Sequence, residues 1–433
     1  LPGSHGCGTM GPDAFEFAET LAAAGLNLWQ VLPLHPVRSV FNFSPYSPAS
    51  CFAGNPLIID EKELVSDYAL STDCFSSFPD TKELDRCVWN ARMEAMKNLL
   101  WKTFDQIEAD LHRLIPYQNF CTEAKSWLDD YALFETIADH FRTSDWRQWP
   151  FPFRKRNSVE TTDFSEKYER KVNWYKFVQY TFFAQWQKLH RHCGSLGVRL
   201  LGDMPLYGQF DSADVWAHPE VFEMDPDTLQ PVSVAGVPPD YFSQDGQLWG
   251  NPLYRWFEDG NLFAPTIEWW RRRMVWALKL TDQIRIDHFR GIESFWSIPA
   301  EAVSAREGTW KKGPDFSLFE SMQDLLGDHP PLVAEDLGII TPEVEHLRDR
   351  LGLPGMKILQ FAFSGGDNHP YLPHNLDSRP WVLYLGTHDN NTTSGWLEEE
   401  LSAAERQKVD AYISWSHEST PVWKLIETAV AST

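Results

Sequence analysis

Three acidic residues stand out in this sequence because each one closes a short, largely apolar run. Asp287 ends Gln-Ile-Arg-Ile-Asp, Glu335 ends Leu-Val-Ala-Glu, and Asp389 ends Leu-Gly-Thr-His-Asp. An apolar run that ends in a carboxylate is typical of a buried parallel strand, which delivers a charged group to the rim of a sheet or barrel. Three carboxylates at one rim fit a nucleophile, a proton donor and a charge stabiliser around a glycosidic bond, because the transition state is cationic and the leaving oxygen needs a proton. The sequence therefore predicts a sugar-processing enzyme.

Each of these carboxylates also fits an ordinary structural role. Arg285 and Asp287 are two residues apart on one predicted strand, so their side chains point the same way. The guanidinium favours the ionised carboxylate that a nucleophile requires, yet the two residues equally fit a strand-end ion pair. Glu335 alone fits an exposed strand-end glutamate as well as a proton donor. Asp389 follows His388, and the pair fits hydrogen bonding to sugar hydroxyls, but Asp-Asn-Asn is also good turn chemistry.

Helices and strands that could position these residues alternate along much of the chain. The predicted helices are Pro12–Ala24, Thr266–Leu280, Ser317–Leu326 and Pro342–Leu351, and the predicted strands are Leu28–Leu34, Val198–Asp203, Gln283–Asp287, Leu332–Glu335, Met356–Phe363 and Val382–Thr387. Strand and helix in alternation imply parallel strands with crossover helices, and a run this long favours a closed barrel over an open sheet. The predicted fold class is α/β, with a TIM-like (β/α)8 barrel.

One barrel with insertions accounts for the 433 residues of the chain. We predict an N-terminal part of the barrel at 1–60, a mostly helical insertion at 61–192 and a barrel strand at 193–206. An irregular insertion near the active site, carrying a lid, is predicted at 207–264, and the C-terminal part of the barrel at 265–433. Helical spacing of charged and aromatic residues marks the first insertion, and a high content of Pro, Gly and Asp marks the second.

The amino-acid composition limits the classes of binding partner that we expect. The chain has 61 acidic and 38 basic residues and a formal net charge of -23, which repels phosphate backbones and anionic lipid headgroups. We therefore expect neither a nucleic-acid nor a membrane partner, and no apolar stretch approaches the roughly 20 residues of a membrane span. The six cysteines are scattered and include no Cys-x-x-Cys pair, which favours a reducing, cytoplasmic setting over a disulfide scaffold.

Two short motifs suggest cofactors but lack the context that those sites need. Residues Gly6 to Gly11 match a dinucleotide-binding pattern, yet no strand precedes them in this sequence and no acidic residue ends the next predicted strand. His190, His192 and Cys193 lie at a predicted helix end without a second cluster, so a helix terminus accounts for them better than a metal site. We predict no metal and no cofactor.

With these features in order, the chain resembles the amylomaltase or disproportionating-enzyme family, the 4-α-glucanotransferases of the α-amylase clan. The resemblance covers nearly the whole chain. It rests on the three carboxylate motifs and on Leu1-Pro2-Gly3 with Gly11-Pro12, Ser44-Pro45-Tyr46, Gly202 to Pro205, Asp211 to Trp216, Gly236 to Phe242, Gly246 to Pro252 and Tyr371 to Asn375.

The resemblance implies a role for each carboxylate. Asp287 would be the nucleophile, Glu335 the general acid/base and Asp389 the transition-state stabiliser, on the fourth, fifth and seventh barrel strands. The implied substrate-binding residues are Tyr46, Asp203, Asp240, Tyr241, Phe242, Gln247, Trp249, Asn251, Arg285, His288, His388 and Asn390. The implied reaction is a retaining double displacement between an α-1,4-glucan donor and a glucan or glucose acceptor, which needs no cofactor because a covalent ester holds the glycosyl group.

The loop at 236–254 is similar to the family's lid over the cleft. Its two prolines stiffen a stretch that carries Tyr241, Phe242 and Trp249, whose flat rings suit the apolar faces of glucose, while Asp240, Gln247 and Asn251 can bind hydroxyls. A lid that excludes water lets a sugar hydroxyl intercept the glycosyl-enzyme, so transfer outruns hydrolysis. An aromatic loop that is merely packed on the barrel is the alternative.

The sequence departs from the family pattern at both ends. Only Leu1-Pro2-Gly3 remains of the stretch that follows the family's first barrel strand, and residues 421–433 stop before an eighth strand, so we expect the first and last strands to be missing. Two other functions stay open. One is an amylase-type α-glucan hydrolase with the same carboxylates and a wetter cleft, and the other is a truncated, non-catalytic glucan-binding chain. The sequence does not indicate an oligomeric state.

Overall fold

Helices and parallel strands alternate in the computed structural model of this chain, which describes residues 7–70, 78, 88–239 and 243–432. The described helices are α1 Pro12–Ala23, α2 Glu61–Asp67, α3 Trp89–Leu111, α4 Ile115–Glu123, α5 Leu128–Phe141, α6 Val159–Lys167, α7 Glu169–Ser195, α8 Ala213–Ala217, α9 Ala264–Leu280, α10 Arg290–Glu293, α11 Phe316–Glu320, α12 Gln323–Leu326, α13 Pro342–Arg350, α14 Thr393–Gly395, α15 Ala403–Tyr412 and α16 Pro421–Val430. Within the described ranges, no helix combines the length and apolar character needed to cross a membrane.

The described strands are β1 Leu28–Gln30, β2 Arg199–Met204, β3 Ser233–Val237, β4 Gln247–Pro252, β5 Phe257–Glu258, β6 Asn261–Leu262, β7 Gln283–Ile286, β8 Ser294–Pro299, β9 Thr309–Lys312, β10 Leu332–Ala334, β11 Gly355–Ile358 and β12 Trp381–Tyr384. β1 pairs in parallel with β2, β2 with β7, and β11 with β12. The predicted α/β class with parallel strands is therefore confirmed.

The chain divides into two compact units. The first comprises Leu1–Asp287 and Gly291–Leu325, and the second comprises His288–Arg290 and Leu326–Thr433. This division follows other boundaries than the five segments expected from the sequence, and those five segments stay a prediction.

In the first unit, β2 lies between β1 and β7, with Leu201 paired to both Gln30 and Gln283. The apolar side chains of β2 and β7 are buried, as expected for parallel strands covered on both faces, and Leu200 and Ile286 have no measurable exposure; those of β1 are half-buried. β1 ends at Gln30, well before the predicted end at Leu34. The N–H of Val31 still donates to the carbonyl of Leu201 over 2.9 Å, and Pro33, which has no N–H to donate, interrupts the pairing beyond it.

An aromatic core holds together the helices between Glu61 and Ser195. The longest of them, α7, buries one face, and its Phe177 ring lies 5.8 Å from the ring of Phe104 on α3. On the same helix, the indole N–H of Trp186 donates a hydrogen bond to the carbonyl of Leu280 over 2.8 Å, which ties this region to the end of α9. Most aromatic residues here therefore stabilise the fold.

A four-stranded antiparallel sheet in the order β4-β3-β8-β9 lies in the first unit and was not predicted. The sequence patterns indicated an irregular segment at 207–264 and further barrel alternation after Asp287. Instead, β3 pairs with β4 and also with β8, which begins at Ser294, shortly after the Asp287 motif. Local patterns missed this sheet because β3 and β8 are far apart in the sequence and each strand is short.

The second unit contains β10, β11 and β12. The backbone N–H of Ala334 donates to the carbonyl of Pro354 over 2.9 Å, and β11 pairs in parallel with β12. Beyond the strands, a buried apolar cluster that includes Leu359, Phe363 and Val409 forms the core.

Three element predictions in the C-terminal half of the chain differ in part from the structure. The predicted strand Met356–Phe363 ends at Ile358 and continues as a 3-10 helix, Leu359–Ser364, because a short apolar run fits a strand and a buried helix equally well. In the predicted helix Ser317–Leu326, the structure has two short helices, α11 and α12. The predicted strand Val382–Thr387 is observed as Trp381–Tyr384.

Candidate active site

The three carboxylates that close apolar runs follow the carboxyl ends of strands. Asp287 comes directly after β7, and its backbone N–H donates to the carbonyl of Met204 at the end of β2 over 3.0 Å. Glu335 comes directly after β10, and Asp389 lies in the turn after β12. Asp287 belongs to the first unit, whereas Glu335 and Asp389 belong to the second. The carboxyl ends of strands are where α/β folds carry reactive groups.

In the first unit, Arg285 lies between two carboxylates. Its Nη1 is 2.7 Å from Oδ1 of Asp203 and its Nη2 is 3.0 Å from Oδ1 of Asp287. The Arg285 side chain is 4% exposed and that of Asp203 is fully buried, while the Asp287 side chain is 29% exposed. The buried pair holds the guanidinium in place, so the arginine presents a fixed positive charge to the more accessible Asp287.

Tyr46 extends this network. Its hydroxyl donates a hydrogen bond to Oδ2 of Asp203 over 2.6 Å. Burial and the neighbouring Asp203 carboxylate raise the pKa of Tyr46 well above its usual value, so the hydroxyl remains a proton-bearing donor. Both Asp203 oxygens are therefore used inside the protein. Asp203 was predicted to bind substrate, and its complete burial fits the support of Arg285 and Tyr46 better than direct contact with a sugar.

In the second unit, Glu335 receives hydrogen bonds from backbone groups at both carboxylate oxygens. The N–H of Leu337 donates to Oε1 over 2.9 Å, and the N–H of His288 donates to Oε2 over 2.8 Å. The N–H of Phe289 also donates to the backbone carbonyl of Glu335 over 3.2 Å. These backbone bonds fix the orientation of the carboxylate.

His288 adds a neutral imidazole to the second unit. Burial, assisted by the positive charge of Arg290, lowers the pKa of His288 to about 4. At neutral pH the ring therefore carries one N–H donor and one acceptor nitrogen, which suits hydrogen bonding to a sugar hydroxyl. Its backbone has φ +50°, in the left-handed region.

Asp336, the neighbour of Glu335, points into the protein. Its side chain forms an ion pair with Arg348 and accepts a hydrogen bond from the backbone N–H of Met356 over 2.7 Å. The residue is 4% exposed, and burial raises its pKa. Of the two adjacent acids, Asp336 is therefore structural, and Glu335 is the one available for chemistry.

The residues after β12 form a tight turn that carries Asp389. The backbone N–H and the hydroxyl of Thr387 both donate to Oδ1 of Asn390, over 2.9 and 3.1 Å. The Asp389 side chain is 77% exposed, and its Oδ1 lies 3.3 Å from Nε2 of His388. Asn390 thus uses its amide oxygen to build the turn. The turn chemistry that the sequence left as an alternative for Asp389 is present, and it leaves the Asp389 carboxylate open to solvent.

The loop expected to act as a lid is partly described. Asp240, Tyr241 and Phe242 lie outside the described residues. The indole N–H of Trp249 donates to Oε1 of Gln247 over 3.0 Å, and both residues remain accessible.

Asn251, in the same loop, is buried, and its amide donates to the carbonyl of Gly208 over 2.9 Å. Asn251 therefore joins β4 to the segment after β2, whereas Gln247 and Trp249 are accessible to a ligand.

In the described part of the chain, neither the metal candidates nor a cavity in the first unit includes these groups. Among the described residues, no cluster of three or more His, Cys, Asp or Glu side chains is arranged to hold a metal ion. His190 instead lies 3.1 Å from Asp282. A cavity of about 1000 Å³ in the first unit is lined by Arg38, Glu135 and others, and none of the sequence-predicted site residues is among its lining. Its volume alone gives it no role in glycosidic chemistry.

Two features of the site had no clear signal in the sequence. The backbone donors to Glu335 could not be found from residue types, because every non-proline residue carries an N–H. Gln360 was also missed; it is 7% exposed, and its amide donates to the carbonyl of Asn391, in the turn that carries Asp389, over 3.2 Å. The only polar side chain in the apolar run Ile-Leu-Gln-Phe-Ala-Phe is this glutamine. That was the available signal for a structural role, since a buried polar group needs a hydrogen-bond partner.

Comparison with known proteins gives one consistent result. The family model described as 4-alpha-glucanotransferase matches residues 1–433. A 4-alpha-glucanotransferase from Clostridium butyricum is 39% identical over 440 residues, covering all of this chain and 88% of that protein. One from Thermus thermophilus is 42% identical over 443 residues, covering all of this chain and 85% of that protein.

A solved structure agrees with the sequence relatives. The amylomaltase from Streptococcus agalactiae in complex with acarbose superposes with a TM-score of 0.91 at 32% identity. The match covers 99% of this chain and 85% of that structure. The fold expected from the sequence is therefore shared with a protein of the type that the motifs indicated.

Proposed function

The chain belongs to the 4-alpha-glucanotransferase family, and from that premise we propose that Asp287, Glu335 and Asp389 together carry out its reaction. The enzyme moves segments of α-1,4-glucan from a donor chain to a glucan or glucose acceptor. The observation that carries the proposed roles is that each carboxylate follows the carboxyl end of a strand, with Arg285 against Asp287 and backbone N–H groups on Glu335.

The proposed reaction is a double displacement with retention. In the first step, an Asp287 oxygen attacks the anomeric carbon while Glu335 gives its proton to the departing glycosidic oxygen, which leaves with the bonding electrons. In the second step, Glu335 takes the proton from the 4-hydroxyl of the acceptor, and that oxygen displaces Asp287 from the same carbon. Two inversions restore the α-configuration.

The surrounding groups support these roles in different ways. Arg285 keeps the Asp287 carboxylate ionised and therefore nucleophilic. The accessible Asp389 carboxylate has the right charge to stabilise the oxocarbenium-like transition state. The neutral imidazole of His288 and the side chains of His388 and Asn390 are proposed to bind sugar hydroxyls.

We further propose that the loop at 236–254 favours transfer over hydrolysis. Trp249 supplies an accessible aromatic ring that can stack on a glucose face, and Tyr241 and Phe242 are proposed to do the same. If this loop excludes water from the glycosyl-enzyme, a bound sugar hydroxyl is the nucleophile that reaches the anomeric carbon.

The test is the product ladder from pure maltotriose. Transfer gives glucose together with maltopentaose and longer chains, whereas hydrolysis gives only glucose and maltose. Asp287→Ala is expected to abolish both kinds of product, while Asp336→Asn tests an acid that lies outside the proposed chemistry. A ladder without chains longer than maltotriose would support the hydrolase alternative. Binding of maltotriose without any product would support the non-catalytic one.

We also propose that the enzyme works in the cytoplasm. Cys7, Cys51, Cys121 and Cys193 are free thiols in the described part of the chain, as expected for a reducing compartment. Burial raises the pKa of Cys51 to about 12, so this thiol resists oxidation. Thiol titration of the denatured protein, isolated with an alkylating agent present during lysis, is expected to show all six cysteines reduced. Recovery of disulfides would contradict the proposal.

A further inference from the structure

Two consecutive backbone N–H groups, those of His288 and Phe289, donate to the same residue. The N–H of His288 reaches Oε2 of Glu335 over 2.8 Å, and the N–H of Phe289 reaches its backbone carbonyl over 3.2 Å. In a regular strand, successive N–H groups point to opposite edges. The chain must therefore leave strand geometry between β7 and α10 for both donors to reach Glu335.

The departure occurs at His288 itself. Its φ of +50° lies in the left-handed region, which few residues other than glycine adopt because the side chain crowds the backbone. An αL residue next to residues of ordinary conformation brings successive N–H groups to one side of the chain, which is the geometry used to hold anions. Here the N–H of His288 binds the Glu335 carboxylate and that of Phe289 binds the backbone carbonyl of the same residue.

The opposite side of the carboxylate is held as well. The N–H of Leu337 donates to Oε1 over 2.9 Å, so each carboxylate oxygen has its own backbone donor. The guanidinium of Arg290 donates to the carbonyl of Ile339, so the 288–290 segment is also bound to the chain beyond Glu335. The backbone angle at His288 sets how the N–H groups of His288 and Phe289 point relative to each other, so the pair of bonds to Glu335 depends on that angle.

We propose that the left-handed backbone of His288 is a positioning device for the general acid/base Glu335, separate from any contact that the imidazole makes. The inference rests on the proposed role of Glu335. The left-handed angle turns the N–H of His288 and that of Phe289 to the same side, so the first binds Oε2 while the second binds the backbone carbonyl of Glu335. The bond to Oε2 sets the direction in which the carboxyl group delivers and receives its proton. A residue that cannot adopt a positive φ cannot keep both N–H groups on Glu335, and the carboxyl group is then misaligned.

A substitution series separates the backbone from the side chain. His288→Gly, His288→Ala and His288→Val all remove the imidazole, but glycine adopts φ +50° freely, alanine does so with some strain, and valine resists it most. On maltotriose we expect kcat to fall in the order Gly, Ala, Val, with Val about tenfold or more below Gly. KM should stay similar within the series. Equal kcat values for the Gly and Val variants would overturn the inference.

Ala69 provides a matched control for backbone strain. It has the same φ of +50°, is exposed, and follows α2 in the first unit. Ala69→Gly and Ala69→Val are expected to shift the unfolding midpoint in opposite directions without changing kcat. A kcat difference between these two as large as that at His288 would assign the effect to general destabilisation and overturn the inference. Thermal unfolding checks that each variant is folded; if His288→Val is not, the Gly and Ala variants carry the comparison.

A substrate that bypasses Glu335 provides the decisive measurement. With α-maltosyl fluoride, Asp287 attacks the anomeric carbon and fluoride leaves with the bonding electrons without a proton; azide then displaces Asp287 as an anion that needs no base. In the presence of azide, fluoride release should be nearly equal for His288→Gly and His288→Val. A deficit of His288→Val that persists under these conditions would overturn the positioning role.

Glu335→Ala calibrates the same assay. If Glu335 is the acid/base, this variant is inactive on maltotriose, and α-maltosyl fluoride with azide restores its turnover. Failure of that rescue would contradict the proposed function, whereas rescue of Glu335→Ala together with equal His288→Gly and His288→Val activities on maltotriose would overturn only the backbone device.

Discussion

The guanidinium of Arg285 donates a hydrogen bond to the carboxylate of Asp203 over 2.7 Å, and both side chains are almost completely buried. Asp203 directly precedes Met204, whose carbonyl receives the N–H of Asp287. The same strand end therefore positions the proposed nucleophile twice, once through its backbone and once through the Arg285 guanidinium.

Asp203→Asn is expected to destabilise the protein and slow its reaction. The change removes one charge of a buried ion pair, which typically costs about 3 kcal/mol or more of unfolding free energy because the other charge stays buried. Urea unfolding measures that loss, and kcat on maltotriose should fall by at least about tenfold because Arg285 is less firmly held against Asp287.

Asp110→Asn is the control. Its pair with Arg113 is 3.1 Å long but 73–75% exposed, so its loss should cost under about 0.5 kcal/mol. Similar losses for the two variants would contradict this interpretation.

Tyr46→Phe is expected to make the protein less sensitive to alkaline pH. In the folded protein the pKa of Tyr46 is raised above the usual 10.0, so the folded state holds the phenolic proton more tightly than the unfolded state. Stability from this group is complete below pH 10 and decreases as the pH rises above it. At neutral pH the variant should lose about 1–3 kcal/mol, since the buried hydrogen bond from Tyr46 to Asp203 is removed. Urea unfolding at neutral pH and above pH 10 checks both effects; parallel pH curves for the two proteins would contradict the assignment.

Sequence patterns identified the parts of the site that depend on local chain properties. The strands before Asp287 and Glu335 were predicted because a short apolar run that ends in an acid is typical of a strand end in an α/β fold, and both were confirmed as β7 and β10. The Arg285–Asp287 contact followed from their spacing on one strand and is present at 3.0 Å. In each case the sequence pattern and the structural feature that it predicted involve residues that are close together in the chain.

Features that depend on distant pairing or on backbone angles were not visible in the sequence. The antiparallel sheet of β3, β4, β8 and β9 depends on β8 meeting β3, two segments separated by α9 and β7. The N–H donors on Glu335 depend on the positive φ of His288, and no residue type specifies that angle. The burial of Asp203 beside Tyr46 is likewise a property of the packed protein, whereas the sequence indicated only a substrate-binding residue at this position.

His35→Gln is expected to reduce the loss of stability in acid. Burial and the positive charge of Arg273 lower the pKa of His35 from 6.5 to about 3. The unfolded chain therefore binds a proton below pH 6.5 that the folded state does not, and stability falls as the pH decreases from 6.5 towards 3. At pH 4 this contribution amounts to about 3 kcal/mol relative to neutral pH. Urea unfolding at both pH values should show a smaller difference for His35→Gln, and the exposed His329→Gln should behave like the wild type.

Gly386→Ala is expected to disturb the turn that carries Asp389. A Cβ at this position would lie 2.8 Å from the amide atoms of Gln360, whose N–H group donates to the carbonyl of Asn391. The methyl group should displace the Gln360 amide, lower kcat about tenfold through the altered position of Asp389, and cost about 1–3 kcal/mol of stability.

Two further variants separate this local effect from a general effect of the added methyl group. Gly366→Ala is the matched control, because a Cβ there has no atom within 4 Å, and its kcat should not change. In the Gly386→Ala background, Gln360→Ala removes the crowding, so part of the lost stability should return while kcat stays low because the hydrogen bond to Asn391 is absent. Full recovery of kcat in the double variant would contradict a role for Gln360 in holding the turn.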